Sequence, residues 1–230
     1  MRKADKPIKA TNGENAIKTI SIALNAVPWV GGILSDVANF YITERQNNRL
    51  NDFLIDLGEG LQALKDRINR DFVTTEEFKD LTEDIFSKAS EARQKEKIEA
   101  LRNIFINTLL SNKPDYNEVL EIIELISQWQ PRHIILLKIL SNPMLADEQA
   151  GSVVGEGGGL FTSINKILRS LLPEWNEEQI ERTWQDLYDA KIHRTQGNKA
   201  MMTDSGIHQL GNRLTNFGIK VANYLADQIV

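Results

Sequence analysis

The sequence predicts a mainly α-helical protein, with an N-terminal up-and-down helical bundle followed by a C-terminal winged-helix-like unit with a small β-hairpin. Two observations lead to this fold class. Apolar residues recur at helical spacings of three and four through residues 14–130, and several consecutive helices of this kind are typical of a bundle. Short helices, a turn and a closing helix then follow in the order of a winged helix. We therefore expect two domains, residues 1–130 and 131–230.

The first helical pair surrounds an uncharged run, residues 19–35, in a chain in which 26% of residues are charged. Residues 14–26 have the spacing of an amphipathic helix. Pro-Trp-Val-Gly-Gly at 28–32 predicts a bend, after which residues 33–42 form a second apolar stripe. A membrane-spanning helix requires about 20 predominantly apolar residues, so the run predicts a bent hairpin over 14–42 instead.

Two interpretations of this hairpin remain open. Helices that are apolar all round are common in protein cores, and the hairpin can be buried in the bundle. Alternatively, it is exposed on activation to a protein partner or a membrane, since five cationic residues against two acidic ones in residues 1–18 suit an anionic lipid surface. The residues predicted to make this membrane or partner contact are Ile20, Leu24, Val27, Trp29, Val30, Ile33, Leu34 and Val37.

A heptad pattern predicts that residues 32–69 form one long helix. Apolar residues alternate in steps of four and three at Leu50, Leu54, Leu57, Leu61, Leu64 and Ile68. Such a seam can pack within the chain or against a partner helix, so it makes self-association a second prediction.

Capping patterns place the next helices. Thr74 with Glu77 fits a capping box, and residues 75–111 form either one helix or two with a break near the charged residues 93–97. Asp115 with Glu118 predicts the start of a further helix, which leads to Trp129.

The C-terminal half begins with a short apolar helix between Pro131 and Pro143. Five glycines at 146–159 predict a flexible loop. The remaining predicted elements are a helix over 164–172, a helix capped by Asn176 and Gln179 that runs to Ala190, strands at 192–194 and 200–203 around the turn 196–198, and a last helix capped by Thr215.

Composition and motifs favour a protein without catalytic residues, cofactor or metal. The net charge of −5 argues against nucleic-acid coating, and the absence of cysteine removes disulfides and thiolate sites. The glycines at 155–159 are not followed by Gly-Lys-Ser/Thr, and neither HExxH nor GxSxG occurs. His133, His193 and His208 are expected to be surface or capping residues. The apolar run begins too late for a signal peptide, so we expect a cytoplasmic protein, peripheral at the membrane when the hairpin is exposed.

The helix that would enter a DNA groove argues for protein binding. Residues 174–190 contain six acidic residues against Arg182 alone, which would repel phosphates. Nucleic acid is therefore the less favoured partner, and the residues that could still contact it are Arg194, Lys199 and Arg213.

Two resemblances extend this interpretation. Trp-Gln-Asp-Leu-Tyr-Asp-Ala-Lys-Ile at 184–192 and Leu-Thr-Asn-Phe-Gly-Ile-Lys-Val-Ala-Asn-Tyr-Leu at 214–225 resemble the end of bacterial winged helices. With Glu-Lys-Ile-Glu-Ala-Leu-Arg-Asn at 96–103, the chain is similar to widespread uncharacterised bacterial proteins that combine a helical bundle with a winged helix. The N-terminal part distantly resembles HeLo-type bundles, which act on membranes in cell death. These resemblances imply a defence or toxicity role, and the bacterial family supplies no activity that can be carried over to this chain.

The sequence thus predicts a non-enzymatic bacterial helical effector or interaction protein. Its bundle would act on a membrane or protein partner, and its winged helix would serve regulation or assembly. The alternative is a winged-helix regulator that binds nucleic acid.

Overall fold

A computed structural model of the chain describes Gly32, residues 47–144, Glu148, and residues 161–199, 201–203 and 210–228. Helices dominate these residues, so the predicted mainly α-helical class is confirmed. The described chain divides into two compact units. One takes the residues up to Ile123 together with those from Asp227, and the other takes Glu124–Ala226. The predicted apolar hairpin and the glycine-rich loop lie outside the described residues, apart from Gly32 and Glu148.

The first unit is a set of consecutive helices, and α1 packs against both α3 and α4. A 3₁₀ turn, Lys65–Arg67, follows α1. The helices are α1 (Asn47–Leu64), α2 (Arg70–Val73), α3 (Glu76–Glu91), α4 (Lys95–Leu110) and α5 (Tyr116–Gln128). The division between the units falls inside α5, whereas the sequence predicts a domain boundary after residue 130.

The heptad seam of α1 packs inside the first unit. Leu54, Leu57 and Leu61 are at most 1% exposed, and Leu64 and Ile68 are also buried. Since α3 and α4 cover this face, the intramolecular interpretation of the seam is the one that the structure supports.

The prediction that the long helix extends to residue 69 is wrong, because α1 ends at Leu64 and Ile68 has an extended backbone. Asn69 fixes this break. Its backbone N–H donates to the carbonyl of Leu109 at 2.8 Å, its side-chain Nδ2 donates to the carbonyl of Ser111 at 2.9 Å, and its Oδ1 caps α2. The end of α4 therefore holds the chain where α1 would otherwise continue.

Five phenylalanines form the centre of the first unit, and each contacts another ring. Phe53 lies edge-on to Phe86 with ring centroids 5.7 Å apart. Phe72 is edge-on to Phe78 at 5.8 Å, and Phe105 touches both Phe78 and Phe86. All five are buried, and aromatic pairs in these geometries stabilise a core beyond their buried area.

The helix caps confirm one prediction and correct another. Asp115 Oδ1 accepts from the backbone N–H of Glu118 at 3.2 Å at the start of α5, as predicted. The N-cap of α3 is Thr75, whose Oγ1 accepts from the N–H of Phe78, and not Thr74, whose hydroxyl donates to the last turn of α2. The predicted span 75–111 forms two helices, with extended backbone at Ala92 and Gln94 between them.

The second unit combines short helices with a two-stranded sheet. Here α6 packs against α8 and α9, and α7 packs against α8. A 3₁₀ turn, Gly211–Arg213, precedes the last helix. The elements are α6 (Pro131–Ser141), β1 (Phe161–Ser163), α7 (Ile164–Leu171), α8 (Glu177–Asp189), β2 (Met201–Thr203) and α9 (Asn216–Leu225).

The predicted pairing of residues 192–194 with 200–203 is wrong. Strand β2 pairs antiparallel with β1, with Phe161 opposite Thr203. The backbone of 192–194 is already engaged elsewhere, because the Ile192 carbonyl accepts from the N–H of Thr215 and the Arg194 N–H donates to the carbonyl of Arg213. Only the isolated bridge between His193 and Leu214 has strand character there.

The ends of α8 explain why the chain turns back after it. Asn176 and Gln179 form the predicted capping box at its start. At its end Lys191 has a φ of 61°, the left-handed conformation. The N–H of Lys191 donates to the carbonyl of Tyr188 and that of Ile192 donates to the carbonyl of Leu187, the bond pattern of a Schellman motif.

Candidate interaction surface of the second unit

Trp184 and His193 form the buried support beneath the surface of α8. Their ring centroids are 4.1 Å apart, and each residue is 1% exposed. The Trp184 Nε1 donates to the carbonyl of Thr195 at 2.8 Å, and the His193 Nε2 donates to the carbonyl of Trp184 at 3.0 Å. These bonds hold the segment after α8 against the helix.

Burial keeps His193 neutral. The pKa of His193 is lowered to about 4, chiefly by desolvation and in smaller part by the charge of Arg213, while the hydrogen bond to the Trp184 carbonyl opposes this shift. Its ring therefore contributes packing and a hydrogen bond near pH 7, not a charge.

A second histidine joins α6 to α8. The His133 Nδ1 accepts from the backbone N–H of Gln130 at 2.9 Å, so its proton is placed on Nε2, which lies 3.0 Å from Asp186 Oδ2. Trp129 stacks on the same ring at 5.7 Å. His133 thus caps α6 and fixes its position against α8.

These contacts revise the expectation for the histidines and limit their chemistry. His133 is a capping residue, as predicted, but it is buried; His193 is buried and caps nothing, so the prediction for it is wrong. His208 lies outside the described residues. Both ring nitrogens of His133 are engaged and Nδ1 of His193 is buried, so neither ring offers an accessible nitrogen for proton transfer to a substrate.

Carboxylates dominate the exposed start of α8. We call Glu174, Glu177, Glu178 and Glu181 the acidic surface; the first three are exposed and Glu181 is partly exposed. An open depression of about 490 Å³ lies beside it, lined by Glu178, Glu181 and Arg182 together with the turn 196–199. A surface of this charge attracts cations and repels phosphates.

The three residues predicted to contact nucleic acid are only partly available. The Lys199 Nζ lies 2.7 Å from Glu181 Oε1, and this hydrogen bond raises the pKa of Lys199. The Arg213 Nη1 donates to the hydroxyl of Thr195 at 2.9 Å. Arg194 is exposed and its side chain has no partner among the described residues. The structure therefore places two of these three cations in contacts within the unit.

Sequence reasoning missed a basic surface at α7. Lys166 and Arg169 lie on one turn of the helix, are exposed and make no ion pair within the described part of the chain. They line an open depression of about 410 Å³ with Ser163, Asn165 and Ser170. Two cations in a helix of ordinary composition give no sequence signal. The spacing of three residues that places them together is visible only once the helix is known.

Asparagine residues connect the two surfaces. The Asn165 Nδ2 donates to Glu177 Oε1 at 3.1 Å, and its backbone N–H donates to the carbonyl of Asn198 at 2.7 Å. Asn165 and Asn198 are 8% and 4% exposed. The start of α7, the start of α8 and the turn before β2 are therefore held together by a polar network.

The residues predicted for membrane or partner contact are outside the described structure, so their role stays a prediction: Ile20, Leu24, Val27, Trp29, Val30, Ile33, Leu34 and Val37. Among the described residues, no helix has both the length and the apolar character needed to cross a bilayer. The same residues contain no group of three or more histidine, aspartate or glutamate side chains able to hold a metal ion.

Comparison with known proteins gives no relative. No protein-family model matches the chain, and neither the curated proteins nor the solved structures include a match.

Proposed function

We propose that this is a non-enzymatic helical interaction protein in which the second unit is a winged-helix-like module that binds protein. The support for the fold is the order α6, β1, α7, α8, β2 with β1 paired to β2. In this assignment α8 is the helix that a DNA-binding winged helix would insert into the major groove.

The acidic surface of α8 is the observation that carries this proposal. Binding to DNA depends on releasing counterions with Lys and Arg, whereas this helix presents carboxylates at its start. Lys199, which could offset them at the neighbouring turn, is already bonded to Glu181. Such a surface suits cationic groups of a protein.

Fluorescence anisotropy with a labelled 20-base-pair duplex tests the choice between protein and nucleic acid. We expect no binding at micromolar protein in 150 mM salt. Neutralising the carboxylates with Glu174→Gln, Glu177→Gln and Glu178→Gln should raise non-specific DNA affinity, because the repulsion is removed. Tight, salt-dependent binding by the unaltered chain that Arg194→Ala weakens would contradict the proposal and favour the nucleic-acid regulator.

The membrane or partner role of the N-terminal hairpin belongs to the same proposal and rests on the uncharged run at 19–35 beside a basic terminus. Co-sedimentation with anionic and neutral liposomes tests it, using the full chain and a chain without residues 1–42. We expect binding by the full chain to anionic vesicles only. Equal and negligible sedimentation of both chains would remove the membrane part. A bacterial defence or toxicity role remains the biological setting that we propose from the sequence resemblance.

A further inference from the structure

The second unit presents two exposed surfaces of opposite charge that do not neutralise each other. Lys166 and Arg169 form the basic surface, and neither is ion-paired within the described residues. The acidic surface lies at the start of the next helix. We propose that a second copy of this chain binds here, so that the basic surface of each copy contacts the acidic surface of the other. This inference rests on the proposed function, since it names the partner of that module.

The charges of the two surfaces match. Residues 174–182 contain four carboxylates and Arg182, and Lys199 neutralises Glu181, which leaves a net charge of −2 (−4 + 1 + 1). The basic surface contributes two positive charges, from Lys166 and Arg169. Each surface therefore finds the opposite charge of equal size on another copy.

The position of the surfaces favours a closed pair. The bond from Asn165 Nδ2 to Glu177 Oε1 holds the start of α7 next to the start of α8, so the two surfaces are neighbours on one unit. In a two-fold dimer every contact occurs twice: if surface A of one copy contacts surface B of the other, surface B of the first copy also contacts surface A of the second. Neighbouring surfaces of opposite charge can meet this condition twice in one interface.

Nucleic acid suits the basic surface less well. A phosphate backbone that reached Lys166 and Arg169 would also come near Glu177, which is bonded to the residue preceding Lys166. The carboxylates of the acidic surface would repel a polyanion but attract the cations of a second copy.

Exposed ion pairs are individually weak and are screened by salt, so the association should be weak and depend on ionic strength. Sedimentation velocity of the full chain from 10 to 300 µM measures it. We expect dimer at 50 mM NaCl and at least a tenfold weaker association at 300 mM. A chain that is monomeric at every concentration and salt level would overturn the inference.

A charge swap tests the surfaces themselves. One variant combines Lys166→Glu with Arg169→Glu, and the other combines Glu174→Lys with Glu178→Lys; the substituted side chains are exposed and unbonded within the described residues. Each variant alone should be monomeric at 50 mM NaCl. An equimolar mixture should form a heterodimer, because one contact pairs the two unaltered surfaces and the other pairs the two altered surfaces with their signs reversed. Circular dichroism checks that each variant is folded.

Controls of equal charge change lie in the first unit, where Arg93→Glu with Lys113→Glu and Glu83→Lys with Glu91→Lys alter exposed residues. These controls should keep the dimer. Dimerisation that survives either surface variant, or a mixture that stays monomeric, would refute the charge pairing. A monomeric chain that binds no DNA would refute this inference alone. A monomeric chain that binds duplex DNA through Lys166 and Arg169 would refute the proposed function as well.

Discussion

The interior of the first unit is centred on phenylalanine contacts, and its buried Thr82 and Thr108 bond only within their own helices. In the interior of the second unit, by contrast, His133, His193 and Asn165 each bond to another segment of the chain. Burial of apolar surface is non-directional, so the interior of the first unit depends mainly on the shape and volume of its side chains. Hydrogen bonds of buried groups require particular partners. Packing volume therefore governs the stability of the first unit, and polar contacts between separate segments specify the structure of the second.

The largest effect should come from the phenylalanine centre. Phe105→Ala removes a fully buried ring that contacts both Phe78 and Phe86, and should cost roughly 3–5 kcal/mol of unfolding free energy. Urea unfolding followed by circular dichroism measures it, with the exposed Glu83→Ala as control. A loss below about 1 kcal/mol would mean that packing does not govern this unit.

Acid should lower the free energy of unfolding of the second unit in particular, because all three histidines lie in its range of the sequence. The pKa of His193 is about 4 in the folded chain and 6.5 in the unfolded chain. Its contribution to the free energy of unfolding is therefore complete above pH 6.5 and declines as the pH falls towards 4. The loss should reach about 3 kcal/mol. Burial raises the pKa of Asp56 in the first unit, so protonation of that group favours folding as the pH falls.

Tryptophan fluorescence during urea unfolding measures this loss, because Trp129, Trp175 and Trp184 are in the second unit and the described first unit has none. The variant His193→Gln should remove most of the pH dependence between 6.5 and 4. The same dependence in both proteins would exclude His193 as its source.

A single added methyl group should disturb the second unit by about 1–3 kcal/mol. In Gly218→Ala the new Cβ would overlap the backbone carbonyl of Ile192, which cannot move without breaking its bond to Thr215. Gly197→Ala is the matched control, since nothing lies within 4 Å of its Cβ position. Thermal unfolding should separate the two variants, and equal melting temperatures would show that α9 can shift freely.

Asn69 is a polar joint between distant segments of the first unit, and Asn69→Ala should cost about 1 kcal/mol. The substitution removes the cap of α2 and the donor to the carbonyl of Ser111. Asn69→Ser keeps a cap acceptor without the amide donor and should lose less. If both variants unfold at the same urea concentration, the bond to Ser111 contributes more than the cap.

Helix positions could be predicted where capping and apolar spacing agree, as at Asp115, Asn176 and Thr215. The break after α1 could not be predicted from the sequence, because the groups that bind Asn69 come from the end of α4, about 40 residues away. The partner of β2 was missed for a similar reason. Strand β1 has three residues, too few to give an alternating pattern.

The negative charge of the candidate surface on α8 could be predicted from the sequence, but the contacts of its side chains could not. The acidic composition of α8 is local and visible in the sequence. The bond between Lys199 and Glu181, and the basic surface beside it, depend on a turn and a helix brought together by tertiary contacts.

The ion pair between Arg102 and Asp227, at 3.2 Å, bears on the order in which the chain folds during synthesis. Both residues belong to the first unit, yet every residue of the second unit is translated between them. Domains fold from the N-terminus as the chain emerges from the ribosome. Asp227 is about half exposed, and a pair open to solvent on one side contributes about 1 kcal/mol, so the first unit can fold before Asp227 exists. The ion pair of Arg102 with Asp227 then forms only after the whole second unit has been translated.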